Sequence, residues 1–325
     1  MTWLITGGAG YIGGHVVHQL TEAGMPVVVL DDLSSGDLGR LPPDVPLVVG
    51  CTLDRAVLDK VMAEHQVTGV LHIAAKKQVG ESVAEPFTYY RENLAGLQTV
   101  LESAVAAGVR KVLFSSSAAV YGMPDVELVT ESTPCEPINP YGETKLAGEW
   151  LLRAAGRAYG LSTVSLRYFN VAGTASTELA DEGVSNLVPM IFQRLTDGLP
   201  PLVFGDDYPT PDGTCIRDYI HVADIASAHV AAVRRLDAAT EPVSLTLNIG
   251  RGEGASVSEM LAVVARVTGH DTTPEITPRR PGDPARVVAS ADLIHRELDW
   301  RAQHDIESMI SSAWQAWLSR HPGLR

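Results

Sequence analysis

The feature that most limits what this chain can become is Gly7-Gly8-Ala9-Gly10-Tyr11-Ile12-Gly13, which follows an apolar run at Thr2 to Thr6 and opens a helical pattern. In that setting one glycine permits a tight turn, the next lets the backbone approach a pyrophosphate, and the third lets the helix pack close to a sheet. The helix start then offers unpaired N–H groups and a positive dipole end to phosphates. Glycines also punctuate ordinary turns, so the loop needs a companion signal. The second apolar run ends in Val29-Leu30-Asp31-Asp32, about 20 residues on, where a carboxylate meets an adenine ribose in dinucleotide folds. Such an acid accepts from both ribose hydroxyls and repels a 2'-phosphate, which favours NAD over NADP. The alternative is an exposed acidic strand end. Gly7, Gly10, Gly13, Asp31 and Asp32 are the cofactor candidates of this region.

The rest of the first half alternates short apolar runs with longer helical patterns, as a parallel sheet covered by helices does. Strands are expected at Thr2 to Thr6, Pro26 to Leu30, Pro46 to Val49, Gly69 to Ile73, Lys111 to Ser115 and Ser162 to Arg167. Helices are expected at His15 to Ala23, Leu53 to His65, Tyr89 to Ala107 and Tyr141 to Tyr159. From about Val171 the chain turns to loops rich in Gly, Pro and Asp, broken by helical patterns at Asn186 to Thr196, Val222 to Leu236, Val257 to Thr268 and Ile306 to Ser319. A strand at Leu245 to Ile249 is expected to return to the first sheet or its edge. The fold class is therefore α/β: a Rossmann-like doubly wound parallel sheet with a smaller C-terminal α/β substrate domain. Residues 1–172, with about 214–249, form the expected dinucleotide domain, and residues 173–213 and 250–325 the substrate domain.

The 325 residues suffice for two domains, and a composition 45% hydrophobic and 20% charged can bury a full core. A net charge of −14 repels polyphosphate backbones and anionic bilayers, so neither nucleic acid nor membrane is an expected partner. Cys51, Cys135 and Cys215 are too scattered for a zinc knuckle or redox pair, and a reducing cytosol fits them best. The N-terminus lacks the basic lead and length of a signal peptide, and no run reaches about 18 apolar residues. His65, His72 and His221 have no metal-ligand spacing; His221 reads as a structural histidine.

In Pro140-Tyr141-Gly142-Glu143-Thr144-Lys145 a phenol and an ammonium stand four apart, on one helix face. A phenol is a poor base at neutral pH, and bringing it there takes about three pH units, roughly 4 kcal/mol. A nearby lysine and a positive nicotinamide ring could supply that bias. The spacing occurs by chance in many helices; what singles it out is Phe114-Ser115-Ser116-Ser117, a strand ending in hydroxyls where a parallel sheet places its ligand crevice.

With these residues in hand, the chain resembles the extended short-chain dehydrogenase/reductases and, within them, the UDP-glucose 4-epimerase family. The resemblance runs over almost the whole chain. It rests on the glycine loop with Thr6, Lys77-Gln78-Val79-Gly80-Glu81-Ser82, Ser115 to Gly122, Pro140-Tyr141-Gly142, Leu166-Arg167-Tyr168-Phe169-Asn170, Asp212-Gly213-Thr214 and Arg217-Asp218-Tyr219-Ile220-His221-Val222. It implies Tyr141 as base, Ser117 as its hydroxyl partner and Lys145 as the group that tunes Tyr141 and holds the nicotinamide ribose. It implies further cofactor contacts at Tyr11, Ile12, Ser34, Lys77, Asn93, Ser115 and Phe169. A sugar nucleotide, most readily a UDP-hexose, would meet Lys77, Ser117, Tyr141, Asn170, Asn186, Leu187, Phe204, Arg217, Arg280, Asp283 and Val287. Arg217 and Arg280 also suit a pyrophosphate because a guanidinium fork matches phosphate oxygens, although either could be a surface ion pair.

The implied activity is NAD-dependent inversion at C4 through a transient 4-keto sugar, with tightly held NAD regenerated each turnover. No metal is implied. A homodimer through the helices at Tyr89 to Ala107 and Tyr141 to Tyr159 is expected, though their apolar positions could equally be core. Two departures stand out. Gly50-Cys51 replaces the family's Gly-Asp beside the adenine, and Val287 replaces a bulky tyrosine, leaving room for N-acetylated sugars. A 4,6-dehydratase or reductase of the same superfamily is the nearest rival, but Ser117-Ala118-Ala119 lacks the dehydratases' carboxylates. A non-catalytic NAD(H)-sensing regulator is the other.

Overall fold

The structure, a computed structural model, describes residues 1–181, 183, 186–280 and 282–322. In chain order the elements are β1 (Thr2–Thr6), α1 (Tyr11–Glu22), β2 (Val27–Asp31), β3 (Leu47–Val49), α2 (Arg55–Glu64), β4 (Val67–His72), α3 (Val79–Ala84), α4 (Pro86–Tyr89), α5 (Gly96–Ala106), β5 (Lys111–Ser117), α6 (Pro140–Tyr159) and β6 (Ser162–Tyr168). The second half contributes β7 (Asn170–Ala172), α7 (Leu187–Thr196), β8 (Leu202–Phe204), β9 (Ile216–His221), α8 (Val222–Asp237), β10 (Ser244–Ile249), β11 (Gly254–Ser256), α9 (Val257–Thr268), β12 (Glu275–Thr277), β13 (Arg286–Val287), α10 (Asp292–Leu298) and α11 (Ile306–Arg320).

Seven parallel strands form the main sheet in the order β3-β2-β1-β4-β5-β6-β10. The runs Val27–Asp31 and Thr2–Thr6 are almost wholly buried, because helices cover both faces and strands of such a sheet need apolar side chains in both directions. On one face Trp3, Ile5 and Leu113 pack with Val16 and Leu20 of α1 and Ile225 and Val233 of α8. On the other, Leu4, Val28 and Val70 meet Leu58 and Val61 of α2 and Val100 of α5, while Phe114 meets Leu152 of α6. Each such side chain contributes about 1.5–3 kcal/mol. A separate core of Phe192, Met260, Met309, Trp314 and Trp317 lies between α7, α9 and α11.

As the periodicity suggested, β10 pairs with β6 and closes the main sheet after a long excursion. The four strands β7, β9, β11 and β13 form a second sheet around β9, in a region expected to be loop and helix. Its Arg217-Asp218-Tyr219-His221 content hides the strand, yet all six residues of β9 are buried. The expected continuous helix at Tyr89 to Ala107 is instead α4, a wide π-helical turn at Tyr90–Ala95, and α5. That turn carries Asn93 inward, and such bulges recur at functional sites. Among the described residues no helix is long and apolar enough to cross a membrane.

The glycine loop is held by close approach. A Cβ on Gly13 would lie 2.0 Å from the Gly7 carbonyl oxygen, and Gly7 itself has φ +73° with its own Cβ position 2.6 Å from Ala74 N. Gly24 also has positive φ, +73°, but nothing within 4 Å. Gly13→Ala is therefore expected to cost several kcal/mol in urea unfolding, whereas Gly24→Ala costs about 1–2 kcal/mol, the left-handed strain alone. Equal costs would contradict the packing account of the loop.

Candidate active site

The strand order reverses at β1, which has β2 on one side and β4 on the other, so a crevice opens beyond the carboxyl ends of these strands. The start of α1 faces it without any side-chain cap, leaving backbone N–H groups free for an anion. Behind it the Asp31 carboxylate is buried and fixed, accepting from Ala9 N and Leu33 N at 2.9 Å each; each oxygen keeps a lone pair for a hydroxyl. Asp32 and Ser34 are exposed and bond each other, Ser34 Oγ donating to Asp32 Oδ1 at 2.6 Å. An uncapped helix start, a loop with no room for Cβ atoms and a pinned acid together fit a dinucleotide.

Next to this lies a cavity of about 520 Å³ whose lining includes Tyr11, Ile12, Lys77, Ser117, Tyr141, Phe169, Asn170, Asn186, Leu187, Phe204, Arg217, Arg280, Asp283 and Val287. Every residue expected to touch the sugar nucleotide is thus on one wall or another. Gly7, Gly10, Gly13, Asp31, Asp32 and Ser34 surround the glycine loop instead, and Asn93, Ser115 and Lys145 lie behind the cavity surface. Asn93 has both ends of its amide occupied. Its oxygen accepts from Lys76 N at 2.8 Å and its nitrogen donates to Lys76 O and to Thr144 Oγ1, which ties the Lys77 loop to α6.

Helix α6 delivers Tyr141 and Lys145. Asn139 caps it, accepting from Gly142 N at 2.9 Å, Pro140 occupies the first turn, and Gly160 in the left-handed region ends it. Tyr141 therefore sits in the first turn, where the helix dipole favours a negative oxygen. Ser117 Oγ accepts from Ala119 N at 3.1 Å, which leaves its proton for the Tyr141 oxygen. That hydrogen bond lowers the phenol's pKa, but burial dominates and holds it above the ordinary value.

Lys145 donates to the Ser115 carbonyl at 2.8 Å. Its ammonium lies 5.1 Å from the Phe114 ring centroid and 5.9 Å from that of Tyr141. Burial pushes its pKa down to about 7. In the chain alone the ammonium faces a carbonyl and is desolvated, and burial of the phenol prevails; the expected bias comes from lysine and a nicotinamide ring together.

Two further groups, Tyr168 and His229, had no role assigned from the sequence. Ser115 Oγ is 2.5 Å from Tyr168 Oη, which is 2.6 Å from His229 Nε2, while His229 Nδ1 lies 2.8 Å from the Ile225 carbonyl. A carbonyl only accepts, so Nδ1 carries the proton, Tyr168 donates to Nε2, and Ser115 donates to Tyr168. Burial holds His229 down at about 4 and therefore neutral. Tyr168 reaches the cavity wall, so this chain links the site to α8.

At the far end, Arg217 pairs with Asp283 and also donates to Ile216 O at 2.8 Å. The Arg280 guanidinium lies 3.7 Å from the Phe204 ring centroid. Asn186 donates to Asp181 at 2.6 Å rather than capping α7, so the start of α7 opens into the cavity beside Leu187. Val287 packs with Phe169, Val120 and Tyr121. His221 is satisfied within the fold: Nδ1 accepts from Ala223 N, and the ring stacks 4.3 Å from His304. Among the described residues no group of three or more His, Cys, Asp or Glu side chains could hold a metal ion.

The NAD dependent epimerase/dehydratase family profile matches residues 3–250. A UDP-glucose 4-epimerase of Azospirillum brasilense is 47% identical, with 98% of this chain and 93% of that protein aligned. The crystal structure of a UDP-glucose-4-epimerase from Stenotrophomonas maltophila with bound NAD and formylated UDP-arabinopyranose superimposes with a TM-score of 0.94 at 41% identity, covering 99% of each chain. That of a UDP-glucose 4-epimerase from Bifidobacterium longum in complex with NAD+ and UDP gives 0.91 at 36% identity over 100% of each.

Lys145 provides a test that needs no ligand. Its pKa near 7 in the fold lies below the unfolded value of about 10.4, so between these the unfolded chain binds the extra proton. The cost of burying it is full below about pH 7 and fades toward about pH 10. Without dinucleotide, Lys145→Met should melt higher than the parent below pH 7, and the gain should shrink as pH rises. A pH-independent difference would contradict the assignment.

Proposed function

The chain belongs to the NAD dependent epimerase/dehydratase family, and from that premise we propose that its cavity inverts C4 of a UDP-hexose, interconverting UDP-glucose and UDP-galactose. NAD is the cofactor. The single observation that carries the reading is the meeting of Tyr141 and Ser117, with Lys145 directly behind them, at the wall of a cavity of about 520 Å³ next to the nucleotide crevice. When bound, NAD supplies the hydride acceptor for C4, returns the hydride to the opposite face, and brings a positive ring that favours the phenolate.

The chain's own residues do the rest. Tyr141, as a phenolate to which Ser117 donates, takes the proton from the C4 hydroxyl and later returns it. Lys145, bonded to Ser115 O, has two further donors for a ribose hydroxyl. Asp31 takes the adenine ribose and the start of α1 the dinucleotide phosphates. Arg217, Arg280 and the open start of α7 hold the substrate's diphosphate; Phe204 offers an aromatic face to its base. These grip the nucleotide end, whereas the sugar end meets Phe169, Val287 and Ala118, which give it few directional bonds. A 4-keto sugar can therefore turn about its diphosphate link while the nucleotide stays put. The wall beside Ser117 carries Ala118 and Ala119, with no carboxylate to remove water, which weighs against a dehydratase.

Val287 leaves space at the sugar's 2-substituent, so the N-acetylated pair is included in the proposed range. We assign residues 1–172 and about 214–249 to NAD and residues 173–213 and 250–325 to the sugar nucleotide. Phe87 is 89%, Trp150 57% and Tyr90 40% exposed, and these apolar side chains, on segments that pack together, suit a second copy of the chain. The unpaired thiols of Cys51, Cys135 and Cys215 suit a reducing cytoplasm.

Tyr141→Phe should lower turnover about 10²–10⁴-fold while NAD binding persists; near-normal turnover on UDP-galactose would remove the proton-transfer role. By product NMR, Val287→Tyr should lose the N-acetylated pair and retain the plain one. If both substrates are equally affected, Val287 does not set the size limit.

A further inference from the structure

Behind the catalytic residues lies a buried polar cluster that the reaction does not touch. Ser116, Arg167 and Asn248 are register partners on three adjacent strands, β5, β6 and β10, one residue before the row that contains Ser117. Glu149 of α6, one turn beyond Lys145, descends onto this row. Its side chain is 0% exposed and that of Arg167 3%. Arg167 grips it with two parallel bonds, Nε to Oε1 at 2.8 Å and Nη2 to Oε2 at 2.7 Å. Ser116 Oγ donates to Oε1 at 2.6 Å. Arg167 Nη1 donates to Tyr121 Oη at 2.7 Å, and Tyr121 donates to Asn248 Oδ1 at 2.6 Å. Asn248 completes the row by donating to Val129 O at 2.9 Å.

We propose that the Glu149–Arg167 pair, with Ser116, is a positioning device that sets the rotation and height of α6 on β5 so that the Tyr141 oxygen meets the Ser117 hydroxyl. The inference rests on the epimerase reading for its kinetic consequence. Stability alone does not account for such a pair, because buried ion pairs are commonly matched or exceeded by apolar residues of similar volume. What the pair provides is direction. A bidentate carboxylate–guanidinium fork has one geometry, whereas an apolar contact lets a helix slide or roll. Tyr141 and Lys145 stand on the same helix as Glu149, and Ser116 lies between Ser115, which holds Lys145, and Ser117. The fork therefore joins both halves of the catalytic geometry through one carboxylate. An error of about 1 Å at such a site costs on the order of 10²-fold in rate.

The test replaces both charges together, because removing one would strand the other. Glu149→Met/Arg167→Met, loaded with NAD, should melt as high as the parent and retain its KM for UDP-galactose, while kcat falls about 10²-fold. The ultraviolet titration of the Tyr141 phenol, identified by its loss in Tyr141→Phe, should move to higher pH in the double variant, with or without NAD, because the Ser117 bond is lost. Parental kcat and titration in a folded double variant would overturn the proposal. Should that variant fail to fold, Ser116→Ala serves, since it removes one neutral hydroxyl. A fall of about tenfold in kcat at unchanged melting temperature is expected, and no change overturns the proposal. A parent that binds NAD but does not epimerise would refute the functional reading instead, and the phenol titration would still decide the positioning role.

Discussion

The bond between the Lys145 ammonium and the Ser115 carbonyl is the point on which the catalytic geometry turns. It attaches the helix that carries the phenol to the strand that carries its hydroxyl partner, and it does so where water is excluded. A charged donor in that position is costly to bury, so everything around it has to be already in place: the seven-stranded sheet, the Asn139 cap, and the wide turn that brings Asn93 against Thr144. The catalytic residues are an edge property of a well-packed sheet and the helix laid on it.

Its electrostatics are unfinished in the chain alone. Burial raises the Tyr141 phenol and lowers the Lys145 ammonium toward neutrality, so both groups are held away from the ionised pair that chemistry requires. This is consistent with a catalyst that is assembled only when a dinucleotide fills the crevice. It also fits an acidic chain, net −14, in which anionic ligands depend on a few placed guanidinium groups and two uncapped helix starts rather than on any general field. His229, neutral and sealed behind Tyr168, fixes the hydroxyl of Ser115 without adding charge.

Much of this was legible in the sequence where one physical requirement dictates residue type. Buried parallel strands need β-branched and aliphatic runs, so β1, β2 and β10 could be read, including the return of β10 to the sheet. The glycine loop, Asp31 and the Tyr141/Lys145 spacing are similarly direct. Strand β9 was hidden because its charged residues are satisfied by partners distant in sequence: Asp218 by the backbone of Arg251, Gly252 and Ala289, and Arg217 by Asp283. The partnership of Glu149 with Arg167, 18 residues apart, and the Ser115–Tyr168–His229 chain depend on strand register, which no local pattern encodes. Spacing likewise places Lys145 on the right face but does not reveal which carbonyl its ammonium faces.

The central claim is that hydride leaves C4 of the sugar and returns to the same carbon without leaving the site. UDP-galactose deuterated at C4, incubated with the purified holoprotein and a pool of free NAD, tests it most directly. Deuterium should remain at C4 of the UDP-glucose formed, with none in the free dinucleotide or in water. Label lost to either pool, or a 4-keto-6-deoxy product, would contradict the account.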